Sequence, residues 1–460
     1  MINMRGRYLV ILLVVLAVVF AGCSQQEEKT APTPTPTPEK TPTPVPTPDI
    51  EKIKQKAVED AVHELMVSAL NLHYDNPNTP EVEGVNVNPE FGCSGCHFSK
   101  EAVPRMEEWG RSAHGGHVLE VKEEDVTKAV TEEDAPAWVH YDFKQPNRQP
   151  CQKCHTSTGF RNFVSDPENY NPENNTFLLT GQQKEFLYCW ACHKVEDGSF
   201  ELRNPGRFAR VAEYSEPADR ISAVPDLGES NLCMVCHSGR SSGAAIKSAE
   251  EIKGKHFGAF NSHYLAAGGI IFRTLPYEFE GRDYVSSNPH ASIEGLCTAC
   301  HMSNADHTFE AVEVKNGAVV DIKAYDTLCK KCHGDDKNAL ISTINERKSQ
   351  YESALKTIEK LLAEKGIYYD GERYPYFYGT PNAEEHTFAN AFKDWPSKDI
   401  LGAAYNLNLL AREPGAFVHN PEYVKQIIYD TIDFLDDGVL NKSAEKSVPE
   451  DVKAFIQGAR

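Results

Sequence analysis

Between Cys93 and His333 the pattern Cys-x-x-Cys-His occurs six times, as Cys93/Cys96/His97, Cys151/Cys154/His155, Cys189/Cys192/His193, Cys233/Cys236/His237, Cys297/Cys300/His301 and Cys329/Cys332/His333. Two thiols at this spacing add across the two vinyl groups of a porphyrin, and the next histidine is then held under the iron as an axial ligand. Each copy is therefore read as an attachment site for c-type haem, and six copies imply six haem c groups with their irons. Twelve of the 13 cysteines lie in the motifs, so none is left for a structural disulfide. Zinc is the alternative, because Cys-x-x-Cys is half of a four-cysteine zinc site. Zinc has no need of a histidine directly after the second cysteine of every pair, and a thioredoxin-like redox motif has none either.

The N-terminus points outward. Arg5 and Arg7 precede an apolar run from Tyr8 to Phe20, a basic and then hydrophobic order that reads as a signal peptide over residues 1–22. The run is short for a membrane span and ends in Ala21-Gly22-Cys23-Ser24, which resembles the lipobox of secreted lipoproteins, with Cys23 the expected lipidation site. Phe20 departs from the usual aliphatic residue there, and an uncleaved anchor is the alternative. Threonine and proline alternate from Thr30 to Pro48, the composition of an extended spacer, which at about 3.1 Å per residue reaches roughly 60 Å. The expected organisation is a lipidated N-terminus and linker over 23–48, a hexahaem domain over 49–335 and a C-terminal helical subdomain over 336–460. The protein is expected to be exported and lipid-anchored at the outer face of the cell membrane or cell surface.

The net charge is −20, and loss of residues 1–22, which hold two arginines and no acid, makes the remainder more acidic. This excludes nucleic acid as a natural partner and suits a solvated surface. Residues 93–333 provide only about 40 residues per motif, so haem itself must form much of the core. The fold is expected to be mostly α with extensive loops, a haem-organised core and a few short β-hairpins. Hairpins are expected at Tyr277–Tyr284, around Glu280-Gly281, and at Ala311–Ile322, around Asn316-Gly317. Apolar spacing predicts helices over Asp49–Leu72, Asn338–Glu364, Asp399–Arg412 and Pro421–Asp436, the last capped by Asn420, with a short helix near Pro449. Two of the long C-terminal helices are expected to form an antiparallel pair.

An iron with two protein ligands only exchanges electrons, whereas an iron with one is open to substrate. Eleven histidines lie outside the motifs and four methionines lie beyond Met1 and Met4, so bis-histidine ligation is expected. The candidate distal ligands are His114, His140, His263, His290, His307 and His419, with His117 and His256 in reserve. His63, His73 and His386 read as surface residues. Tyr188, Arg240 and His117 are the candidate proton donors beside any open iron, though Tyr188 reads more simply as packing and Arg240 as a propionate partner.

The motif settings carry a resemblance. Trp109-x-x-Ser112-x-His114, Cys189-Trp190-Ala191-Cys192-His193, the run from Cys233 to Arg240 and His263-Tyr264-Leu265-Ala266-Ala267-Gly268 make residues 90–335 similar to the secreted multihaem c-type cytochromes of metal-reducing bacteria and archaea. Ala416-Phe417-Val418-His419-Asn420 extends the likeness towards 437. The resemblance implies an electron carrier working at or beyond the cell envelope, with partner cytochromes or extracellular acceptors, and some relatives assemble into filaments. An electron carrier rather than a catalyst is the expectation. The alternative is a multihaem reductase of the nitrite or hydroxylamine type with one five-coordinate haem, although no motif here replaces its histidine by lysine. A third class is a haem-bearing docking or assembly subunit of an oxidoreductase.

Overall fold

A computed structural model describes residues 102–117, 143–177, 187–196, 199–209, 223–446 and 448–460, all within the unit Glu51–Arg460. The signal segment, Cys23, the Thr/Pro spacer, the helix expected over 49–72, the first motif (Cys93, Cys96, His97), His63, His73 and His140 lie outside the described residues. Among the described residues no helix is long and apolar enough to cross a membrane.

Short helices joined by loops carry the motifs. Helix α1 (Ala102–Arg111) is followed by α2 (Gln152–His155) and α3 (Ser157–Ser165), the latter capped by the Thr156 hydroxyl, which accepts from Gly159 N. Then come α4 (Cys189–Cys192), the hairpin of β1 (His193–Glu196) and β2 (Ser199–Leu202), and the pair β3 (Phe208–Ala209) and β4 (Ala223–Val224). Helices α5 (Asn231–His237), α6 (Gly243–Ser248), α7 (Ala267–Ile271) and α8 (Leu296–His301) precede the hairpin of β5 (Val312–Lys315) and β6 (Ala318–Ile322). Its turn is the expected Asn316-Gly317, both at positive φ, as a two-residue hairpin requires. A π-turn over Tyr325–Cys329 leads into α9 (Lys330–His333).

The C-terminal third is regular. Helix α10 (Lys337–Ala363) starts where the Asp336 carboxylate accepts from Ala339 N, and it buries Tyr351, Ala354, Leu355, Ile358 and Leu362, one stripe at helical spacing. After the two-residue strands β7 (Tyr368–Tyr369) and β8 (Phe377–Tyr378) come α11 (Lys398–Ala411), α12 (Ala416–His419), α13 (Pro421–Asp437) and α14 (Glu450–Ile456). Helix α11 is buried at every position from Ile400 to Leu410, the signature of a central helix. The expected helix pair is thus part of a larger group, in which α10 packs on α11, α13 and α14.

One apolar core runs from Ile246 to Ala459 and joins the loops between motifs to these helices. A second, built from Phe160, Phe163, Val164, Leu187, Ala191, Phe208, Val224, Leu232, Met234 and Val235, lies among the second, third and fourth motifs.

Two local expectations are corrected. Residues 277–284 turn at Gly281 but form no strand pair. Tyr277 N donates to Asn406 Oδ1 (2.8 Å) and Tyr277 O accepts from Asn406 Nδ2 (3.0 Å), while Phe279 N donates to the Tyr284 hydroxyl (3.0 Å). Side chains have taken the hydrogen bonds a ladder would use. Asn420 holds the N-cap position of α13, but its side chain makes no capping bond: it is buried, and its Nδ2 donates to Ile270 O (3.1 Å) and Ile271 O (3.3 Å), tying α13 to α7 instead.

Asn406 lies inside the central helix with every polar atom used, since its Nδ2 also donates to Thr431 Oγ1 (3.1 Å). Asn406→Ala strands both backbone groups of Tyr277 in the core, and it should lower stability by about 2–4 kcal/mol in denaturant unfolding of the fully loaded protein. A loss under about 0.5 kcal/mol, the size of an ordinary surface change, would contradict this role.

Candidate functional site: five histidine pairs

In a helical turn, residues i, i+3 and i+4 share a face, so two thiols and the following imidazole are delivered to one side. The fourth and fifth motifs lie wholly on α5 and α8. The second and sixth enter their turns at Cys151 and Cys329 and finish on α2 and α9. The third departs from this: Cys189–Cys192 is helical and His193 begins a strand, with Arg203 Nε donating to His193 O (3.2 Å) at that exit.

The motif cysteines differ in how far they are covered by the chain. Cys332 is exposed, as is His333, whereas the other motif cysteines among the described residues are half-buried. The physical reason is local. Only Cys329 of this motif packs against an apolar cluster, that of Val319, Ile322 and Tyr325, while Lys330, Lys331, Asp335 and Asp336 surround Cys332 in sequence and keep its turn in water. Cys332 therefore presents its thiol at the surface of the described chain.

Each described motif histidine faces one other histidine. Ring centres lie 5.9 Å apart for His155 and His263, and 6.2 Å apart for His193 and His307, His237 and His114, His301 and His419, and His333 and His290. A metal–imidazole bond is about 2.0 Å and the nitrogen sits about 1.2 Å from its ring centre, so two imidazoles sharing one iron stand about 6.4 Å apart. The observed separations fit that span. They are too long for a direct hydrogen bond between the ring nitrogens of an aligned pair.

Second contacts set the tautomers. Nδ1 of His237 lies 2.7 Å from Leu265 O, that of His290 2.6 Å from Val418 O, that of His301 2.8 Å from Phe309 O, and that of His307 2.8 Å from Ala305 O. A carbonyl only accepts, so Nδ1 carries the proton and Nε2 keeps its lone pair for a metal. His419 Nδ1 lies 3.0 Å from the buried carboxylate of Glu413. Burial holds His114 and His263 down at about 3, with His237 and His301 adding to the effect at His114, and it holds His155 and His193 down at about 4. These imidazoles are neutral, the form that ligates. Paired imidazoles, with two thiols in the same motif as one of each pair, fit an iron porphyrin attached through thioethers.

The surrounding chain explains how each distal histidine is delivered. In Trp109-x-x-Ser112-x-His114, Trp109 Nε1 donates to Leu187 O (2.9 Å), and Ser112 Oγ donates to Trp109 O (2.7 Å) while accepting from Gly115 N (3.1 Å). A side chain at Gly115 would start 2.2 Å from Trp109 O, so only glycine permits that turn. Helix α1 also reaches the third site, because Glu108 Oε2 accepts from His307 N (2.9 Å). His263 and Leu265 both have left-handed backbones, and their segment is held where Leu265 N donates to Arg412 O (3.0 Å) and Arg412 lies between the rings of Tyr264 and Tyr376.

Other sequence candidates fall elsewhere. His256 packs edge-on against Phe388 (4.8 Å) and Tyr374 (6.0 Å). His386, expected at the surface, has its side chain buried: Nδ1 pairs with Asp370 (2.7 Å), Nε2 lies 3.0 Å from Thr380 O, and the ring stacks on Tyr378 at 4.2 Å. Tyr188 packs between Trp109 and Trp190. The Arg240 guanidinium borders the second site, near enough to His155 and His263 to lower both. Residues that sequence reading missed are Phe309, Leu265 and Val418, which act through backbone carbonyls and so leave no mark in residue type.

His263→Ala should leave the second site with one axial histidine. The expected result is one high-spin, carbon monoxide-binding haem per molecule by EPR and absorbance. No new high-spin signal would contradict the pairing of His155 with His263.

Comparison with known proteins agrees with this donor set. Residues 88–203 match the family described as C-type polyheme cytochrome domain 2, and residues 241–454 match that described as cytochrome c552. The chain is 33% identical over 460 residues to the C-type polyheme cytochrome OmcB of Geobacter sulfurreducens, covering 83% of this chain and 61% of the relative. It is 33% identical over 461 residues to the C-type polyheme cytochrome OmcC of the same organism, covering 83% and 60%. The chain thus spans about three fifths of the length of these curated relatives. No solved structure matches it. The repeated motifs and the two sets of matches show that the chain belongs to the multihaem c-type cytochromes, whose cofactor is covalently attached haem c.

Proposed function

We propose that this protein is an exported electron carrier with six haem c groups, each closed by two histidines, which delivers electrons at or beyond the cell envelope to an extracellular acceptor or a partner cytochrome. The observation that carries the reading is the set of five histidine pairs at 5.9–6.2 Å. The first motif, with His97, would take His140 or His117 as its second ligand.

Bound haem supplies a reversible one-electron change at its iron. The chain's part is to occupy both axial positions, keep each ligand neutral and oriented, and exclude substrate from the metal. Closed sites favour a carrier over a nitrite- or hydroxylamine-type reductase, which needs one open iron. Lipid on Cys23 and the Thr/Pro spacer would tether the protein and project it away from the membrane surface. Redox cytochromes, extracellular acceptors and other copies of the chain are the partners this reading supports.

The test combines mass and turnover. Intact mass should show six covalent haems, the dithionite-reduced protein should be fully reoxidised by a soluble ferric chelate, and nitrite and hydroxylamine should not be turned over. Fewer than six haems would overturn the count. Turnover of either nitrogen compound at about 1 s⁻¹ or faster, the lower range for enzymes, would overturn the carrier reading.

A further inference from the structure

We infer that, among the five described sites, the fourth, Cys233/Cys236/His237, is the branch point, in contact with the second, third and fifth, while the sixth joins the others through the fifth. The inference rests on the proposed haem occupancy and goes beyond it, because six sites could equally be strung in a line.

Helix α5 is where the other motifs meet. Helix α2 packs on it, with Cys154 Sγ donating to Val235 O (3.7 Å), and the Cys154 and Cys236 thiols lie beside each other. At the other end of α5, Ser230 Oγ donates to Gly295 O (2.6 Å) and accepts from Cys297 N (3.1 Å), which fastens the start of α8 to the start of α5. There the Cys233 and Cys297 thiols meet in the same way. Cys192 of the third motif packs in the apolar cluster with Leu232, Val235 and Cys236. Once each sulfur is bonded to a former vinyl carbon it marks the edge of its porphyrin. Two sulfurs in contact therefore bring two such edges together, and α5 offers one sulfur to each side.

The axial side shows the same convergence. Phe309, at φ 60°, sets its ring edge-on to His114 at 4.5 Å and to His307 at 5.8 Å, while its carbonyl receives His301 Nδ1 at 2.8 Å. One residue thus touches ligands of the fourth, third and fifth sites. On the opposite face, the segment that bears His263 for the second site supplies Leu265 O to His237 of the fourth. The sixth site's link runs to the fifth, where His290 Nδ1 meets Val418 O beside His419.

An electron held at one site makes reduction of a near neighbour harder, and the effect weakens with distance. His114→Met exchanges one imidazole of the fourth site for a thioether, which raises its potential and changes its low-spin signal. In a redox titration of the full holoprotein resolved by haem-methyl NMR, the half-reduction points of the second, third and fifth sites should shift, and that of the sixth should stay in place. His290→Met at the sixth site should shift the fifth alone, and it tests the same map independently. A changed fourth site that moves only one of its three neighbours, or a sixth-site change that moves the fourth as strongly as the fifth, would overturn the branch and leave the axial pairs standing. A fourth-site signal unmoved by His114→Met would overturn the pairing of His114 with His237, and the branch with it.

Discussion

Everything in this structure is arranged around pairs of imidazoles held one iron's width apart. Such a pair makes no direct hydrogen bond at that distance, so each ring is held from behind. Backbone carbonyls do this at His237, His290, His301 and His307, and the Glu413 carboxylate lies behind His419. The segments that supply these holds adopt left-handed conformations at His263, Leu265 and Phe309. Non-glycine residues persist there only when the surroundings over-determine them. Strain is gathered at the ligand loops and opposed by the helices beneath.

Those helices belong to the ligand system. His419 lies on α12, its carbonyl accepts from Asn288 Nδ2 (2.9 Å), and the neighbouring Val418 O receives His290. The C-terminal part therefore supplies a ligand facing His301 and a carbonyl for the ligand facing His333. The continuous core from Ile246 to Ala459 gives these contacts a rigid base, since packed interiors do not deform smoothly. A change in how α11 and α13 pack would be felt at two metal sites.

Covalent chemistry and local periodicity were legible in the sequence. The Cys-x-x-Cys-His motifs need no tertiary information to be recognised, because both thiols and the imidazole lie within five consecutive residues. The stripe on α10 and the Asn316-Gly317 turn are likewise local. The partnership of His155 with His263, or of His301 with His419, spans more than a hundred residues and follows from the packing of several elements. The exposure of Cys332 also depends on packing, since its motif has the same spacing as its half-buried counterparts. Tyr277–Tyr284 had the pattern of a hairpin, but Asn406, far away in sequence, takes the hydrogen bonds its ladder would need. Asn420 was read as a cap and is used as a tie to α7, and His386 was read as exposed and is enclosed by Asp370 and Tyr378. Acceptor carbonyls at Leu265, Phe309 and Val418 could not be read at all, because every residue type has one.

The central claim is that every iron is closed by two histidines. EPR and absorbance of the purified holoprotein, oxidised and reduced, with and without carbon monoxide, test it most directly. The account predicts low-spin signals only and no spectral change on adding carbon monoxide. A high-spin haem that binds carbon monoxide would contradict it and make one site a place for chemistry.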